Sequence, residues 1–150
     1  MDNNSKTNIG VFLILQKDDK FFFLQRKDTL LYSFPAGKVE HNETIQKAAI
    51  RELYEEVGII ISEKDLLLKH KINFYDENNH ITHIGYFFKV LDFQGKIKIL
   101  EPEKHISYKW IKSSNLSSEE ITKHCAFAMH NIEKNITESK YKYNKSLDDE

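Results

Sequence analysis

The chain has 150 residues, 40% of them hydrophobic and 30% charged, with a formal net charge of −1 at pH 7. That length and composition describe one globular domain with its own hydrophobic core, and exclude a fibrous or wholly disordered chain. A charge so near zero excludes a general attraction for nucleic acid or an anionic membrane, so neither is expected as a partner. Met1 to Thr7 is polar and carries no apolar signal core, and no apolar run reaches membrane-spanning length. The single cysteine, Cys125, excludes an internal disulfide and fits a reducing, cytoplasmic setting. In helical register it reads as a small buried hydrophobe rather than a nucleophile.

Asn8 to Gln16 is almost wholly apolar (Ile9, Val11, Phe12, Leu13, Ile14, Leu15), which predicts a strand buried on both faces. Lys17-Asp18-Asp19-Lys20 is a turn, and Phe21 to Gln25 is a second strand that pairs back as a hairpin. Arg26 and Lys27 close that strand. The planar fork of a guanidinium makes Arg26 a candidate phosphate contact, beside the plainer reading of strand-end solubility. Asp28 to Ser33 is a loop whose Leu30, Leu31 and Tyr32 either pack beneath it or line a pocket. Pro35-Ala36-Gly37 then turns the chain.

Thr44 is a good helix N-cap, since its hydroxyl can accept from a free N–H of the first turn, and Gly58 is a good stop. On a wheel, Ala49, Ile50, Leu53, Tyr54 and Val57 share one arc and can face a core. Glu52, Glu55 and Glu56 share another, with the small Ala48 among them. Three hard oxygen ligands on one rigid face suit Mg²⁺ or Mn²⁺, although a solvated acidic face would look the same in isolation. The wider pattern is more specific. Gly37, then five residues, Glu43, then seven residues, then Arg51-Glu52-Leu53-Tyr54-Glu55-Glu56-Val57-Gly58-Ile59 resembles the signature of the Nudix hydrolases at every fixed position. Phe34-Pro35-Ala36-Gly37-Lys38 is similar to the family's usual approach to that signature, with Ala36 where most MutT-like members have Gly.

Leu66 to Tyr75 and His80 to Val90 read as a pair of strands around the turn Asp76-Glu77-Asn78-Asn79, with Ile81, Ile84, Tyr86 and Phe88 as core. His41 reads as a loop residue. His70, His80 and His83 lack zinc-like spacing and read as structural or exposed. Lys96 to Leu100 is expected to be a short strand, as is Tyr108 to Ile111, with Trp110 as core or sheet cover. Ser117 and Glu120 are spaced as a capping box opening the last helix, which presents Ile121, Cys125, Ala128 and Ile132 on one face. The domain is expected to end near residue 136, with 137–150 a polar disordered tail.

The resemblance covers roughly Asn8 to Asn135. It implies an α/β fold, a Nudix-type α/β/α sandwich with a mixed β-sheet between helices, and hydrolysis of a nucleoside diphosphate linked to another group. It implies that Glu52, Glu55 and Glu56 hold Mg²⁺ or Mn²⁺ with the backbone of Ala36, and that Arg51 orients a carboxylate. Glu43 lies near the metals or braces the loop, and Arg26 and Lys38 meet the substrate. Glu101-Pro102-Glu103-Lys104 resembles a segment from which a MutT-like group sends a loop glutamate to the metals, here Glu103. The general base is then Glu52 or Glu103. The MutT-like layout implies a small-molecule nucleotide substrate, a nucleoside triphosphate that includes oxidised or non-standard forms. Tyr75 keeps dinucleoside polyphosphates open, nucleoside-diphosphate sugars are a further alternative, and a catalytically silent sensor is the other class.

Overall fold

The computed structural model describes residues 7–116 and 120–143. The first apolar run divides between two sheets. Asn8–Ile14 forms β1, whereas Gln16–Lys17 forms β2 and alone makes the hairpin with β3 (Lys20–Arg26). The expected long hairpin is therefore corrected. The chain crosses from one sheet to the other at Leu15, whose carbonyl still accepts from the Phe22 N–H at 3.0 Å.

β1 sits between β5 (Ala36–Lys38), antiparallel, and β7 (Ile81–Val90), parallel. Beyond β7 lie β6 (Leu66–Tyr75) and β9 (Glu138–Lys142), giving a mixed sheet ordered β5-β1-β7-β6-β9. The second sheet is antiparallel. β8 (His105–Lys112) runs the length of β3, so β2 and the two-residue β4 (Tyr32–Ser33) share the other edge of β3.

Two helices cover opposite faces: α1 (Ile45–Val57) and α2 (Lys123–Glu133). The period-2 alternation of strand side chains decides which helix each residue meets. Val11, Leu13, Phe22, Leu24, Phe88 and Val90 pack in one core with Ala49, Leu53 and Val57 of α1. Their neighbours Ile14, Phe21, Phe23 and Phe87 pack in another with Cys125, Ala128 and Met129 of α2. This is the expected α/β/α sandwich. Cys125 is buried, and burial pushes its thiol up to about 11, as befits an inert packing residue.

Several local expectations are corrected. Tyr54 is 55% exposed and Ile81 is 41% exposed, while Phe87 and Phe88 carry the β7 core. Residues 96–100 are not a strand. Lys98 and Leu100 donate their N–H groups to the Val57 and Glu56 carbonyls, both at 3.1 Å, serving C-terminal carbonyls that α1 leaves without intrahelical donors. α2 begins after Thr122, because Ile121 is taken by a bridge to Tyr32. The capping box expected at Ser117 lies outside the described residues.

Part of the expected tail is instead a strand, β9, which pairs parallel with β6 from Lys71↔Glu138 to Tyr75↔Lys142. His70, fully buried, anchors the approach: Nδ1–H donates to the Ile136 carbonyl and Nε2 accepts from the Ser139 hydroxyl, each at 2.8 Å. The physical reason is alternation: Ser139 and Tyr141 turn inward, and Glu138, Lys140 and Lys142 turn to water. Among the described residues no helix is long and apolar enough to cross a membrane.

Candidate active site

α1 presents the carboxylates, and its ends are fixed as the sequence implies. Thr44 Oγ1 accepts from the Lys47 N–H at 3.1 Å, and Gly58 closes the helix at φ 76°. Its acidic face is differentiated by depth: Glu55 is 47% exposed, Glu52 13% and Glu56 4%.

Arg51 organises the face. Its Nε donates to Glu43 Oε2 at 2.7 Å, and Nη2 donates to Glu43 Oε1 and to the Lys38 carbonyl, both at 2.9 Å. Nη1 donates to Glu52 Oε2 at 2.8 Å and Glu55 Oε1 at 3.2 Å. Glu43 Oε1 also accepts the Glu40 N–H at 2.9 Å. Of its two expected roles, then, the contacts of Glu43 are those of a brace tying the loop to the helix. The Arg51 guanidinium holds the Glu43 carboxyl down to about 2.

Glu56 is turned inward and accepts the Ala36 N–H at 3.1 Å. Burial first, then the charge of Glu52, pushes its carboxyl up to about 8. Glu52 is also raised, by burial chiefly, against the hydrogen bond from Arg51. Gly37 lets Glu52 take this position, since a Cβ there would overlap the Glu52 carboxylate and displace it.

A cleft of about 640 Å³ opens beside Glu56 and is lined also by Arg26, Ala36, Glu103 and Lys104. Sequence-expected residues from four separate segments thus meet at one cavity. Lys38 is outside that lining. Its carbonyl anchors Arg51, and its ammonium adds to the burial that lowers the pKa of His83. Ala36 reaches Glu56 through its N–H, whereas the expectation concerned its carbonyl. Arg26 makes a paired contact with Asp28 at 3.0 and 2.8 Å.

Glu101 was missed by sequence reasoning. Lys104 and His105 donate their N–H groups to the Glu101 carbonyl at 2.9 and 3.0 Å. That turn leaves Glu103 exposed at the cleft and Glu101 part-buried, and the Glu101 charge raises both Glu52 and Glu56. Its buried Oε1 has no hydrogen-bond partner among the described residues, only an ion pair with Lys104 at 3.6 Å. The Glu-Pro-Glu run was visible, but nothing in it tells which glutamate the turn directs inward.

The donor chemistry fits a hard divalent cation. Buried acids that raise one another and a buried carboxylate oxygen without a hydrogen bond are what such an ion would relieve. With Arg51 drawing Glu52 and Glu55 toward itself, no three acidic, imidazole or thiol groups among the described residues are gathered closely enough to chelate an ion as they stand.

The family model of the NUDIX domain matches residues 5–129. The chain belongs to the Nudix family. Among relatives, an 8-oxo-dGTP diphosphatase of Proteus vulgaris is 35% identical over 101 residues, which are 65% of this chain and 87% of that one. An ADP-ribose pyrophosphatase of Methanocaldococcus jannaschii is 30% identical over 103 residues, 67% of this chain but only 60% of the relative's length. Among solved structures, a MutT protein from Bacillus halodurans superposes with a TM-score of 0.74 at 20% identity, covering 93% of this chain and 92% of that one. The last likeness concerns the fold, and it makes this Nudix chain MutT-like in architecture.

Proposed function

We propose that this Nudix protein is a Mg²⁺- or Mn²⁺-dependent pyrophosphohydrolase that converts a nucleoside triphosphate, oxidised or non-standard forms included, to the monophosphate and pyrophosphate. One observation carries the reading: Glu56, nearly fully buried on the acidic face of α1, lines the same cleft as Arg26 and Lys104. A polyphosphate needs cationic groups, and an acid that burial holds at about 8 beside them is one whose proton a divalent ion would displace, setting the ion between carboxylate and phosphate.

Glu52, Glu55 and Glu56 would hold that ion, with Glu101 added from the loop. When bound, it neutralises phosphate charge and acidifies a water. The chain's own groups supply the rest. Arg26, Lys27 and Lys104 line the cleft as donors to phosphate oxygens. Arg51 ties Glu43 and the Lys38 carbonyl to α1, which fixes the approaching loop against the helix that carries the ligands. Of the two candidate bases, Glu103 is favoured because it lines the cleft, while Glu52 is held by Arg51 and packed on Gly37. The Glu103 carboxylate would take the proton of the attacking water as its oxygen bonds to phosphorus and the α–β phosphoanhydride bond breaks, releasing monophosphate and pyrophosphate.

The names of the relatives support a phosphoanhydride hydrolase and divide on substrate. The test is a panel of ordinary and oxidised nucleoside triphosphates, dinucleoside polyphosphates and ADP-sugars, with products separated, with Mg²⁺ and after chelation. Monophosphate and pyrophosphate from a triphosphate, only with the cation, is the expected result. Binding without turnover across the whole panel would favour a sensor and overturn the proposal.

A further inference from the structure

A second cavity, about 360 Å³, lies on the α2 side of the mixed sheet. Its aromatic walls are Phe12 of β1, Phe74 of β6, His83 of β7, His124 of α2, Tyr141 of β9 and Tyr143 just after it. Gly10 and Gly85 line it too. A Cβ at Gly85 would come within 3.1 Å of the Phe12 ring and 3.3 Å of the Phe74 ring, so a side chain there would crowd this wall. Arg26 lines both this cavity and the cleft beside Glu56.

The aromatic walls are mutually braced. Phe74 meets Tyr141 edge-on at 5.7 Å and His124 at 6.2 Å, and Phe12 meets His124 at 5.5 Å. Tyr141 is held from behind by Phe127 at 5.2 Å. Tyr143 is pinned by its N–H to the Tyr75 carbonyl at 2.7 Å. Preset rings of this kind suit a flat aromatic guest, because stacking needs area and the rings have little freedom left to lose. The strand that brings both tyrosines, β9, lies beyond the residues matched by the family model.

Resting on the function proposed above, we infer that β9 is a recognition wall of this particular chain. Tyr141 and Tyr143 close an aromatic chamber that takes the planar base of a nucleotide, whose phosphates run past Arg26 toward Glu56. His70 and Asn73, which hold the strand through Ser139 and Glu138, are then positioning residues for base recognition.

The test uses the full chain and reads binding, so that it does not depend on hydrolysis. Purine and pyrimidine nucleoside monophosphates are titrated calorimetrically into wild type, Tyr141→Leu, Tyr143→Ala and, as a control on the outward face of β9, Lys142→Ala. Inorganic tripolyphosphate with Mg²⁺ is the probe without a base. The tyrosine variants should bind monophosphates at least tenfold more weakly and change the purine-to-pyrimidine ratio. Tripolyphosphate affinity should move less than twofold, and Lys142→Ala should match wild type. Should Tyr141→Leu fail to fold, Tyr143→Ala at the strand's end carries the test alone. Unchanged monophosphate binding in the tyrosine variants, or equal losses for tripolyphosphate, overturns the inference. A chain that passes but hydrolyses nothing overturns the hydrolase reading and leaves the chamber standing.

Discussion

The two sides of the sandwich are built by opposite means. On the α1 side, the glutamates of the helix face lie within one short stretch, and a single guanidinium ties β5, the loop that follows it and α1 together by charge-assisted hydrogen bonds. On the α2 side, the chamber is assembled from rings that are far apart in sequence and held by packing. The first arrangement suits chemistry, which needs fixed charges at fixed spacings. The second suits recognition, which needs shape.

The sharpest way to break this contrast is to remove charge from the first side without altering its shape. Glu56→Gln keeps the volume and should lower kcat by ~10²-fold or more, a loss of the size expected for a preorganised electrostatic group. The thermal midpoint should hold or rise, since a buried acid is replaced by a neutral amide. Steady-state assays beside a melting curve check both, and near-wild-type turnover would remove α1 from the mechanism.

Gly37→Ala probes the same side through sterics. The added methyl must displace the Glu52 carboxylate, so kcat/KM should fall roughly tenfold or more, in line with the cost of misplacing a reacting group.

Arg51→Lys replaces a planar fork by a point charge. It should destabilise the protein by about 1.5–3 kcal/mol, the range for hydrogen bonds to charged groups, as read from urea midpoints. A loss below about 0.5 kcal/mol would place these contacts with ordinary surface ion pairs.

The pH dependence separates two acids of the α1 side. Glu56 has its folded pKa raised from 4.5 to about 8, so between those values the cation-free folded chain holds a proton that the unfolded chain has lost. Stability should therefore fall as pH rises through that window, by at most about 1.4 kcal/mol per pH unit. Glu43 is lowered from 4.5 to about 2, so its contribution is complete above the higher value and disappears as pH falls toward the lower. Urea midpoints in the presence of chelator should show both limbs, and Glu56→Gln should flatten only the upper one.

How legible each side was follows from the same contrast. Thr44, Gly58, Arg51 and the glutamates could be placed from spacing, because a helix turns sequence distance into geometry. Tyr54 was misplaced because the apolar arc of α1 is narrower than the wheel allowed, and its buried face extends instead to Glu56. The division at Leu15 was hidden inside a uniformly apolar run, which carries no mark of where one sheet gives way to the next. β9 was hidden for the opposite reason: Glu138 to Lys142 is too polar to announce a strand, and contacts distant in sequence hold it, among them its pairing with β6, the Ser139 bond to His70 and the Asn73 bond to Glu138. Glu101 and Glu103 were indistinguishable until the turn between them was known.

The central claim is that the buried acid of α1 takes part in holding a divalent cation, and Mn²⁺ reports on that directly. Titrating Mn²⁺ into wild type and Glu56→Gln, with free ion read by electron paramagnetic resonance in the presence of a nucleoside monophosphate, isolates the claim from turnover. The expected result is saturable binding by wild type and at least tenfold weaker binding by the variant. Equal affinity in the two proteins would contradict it.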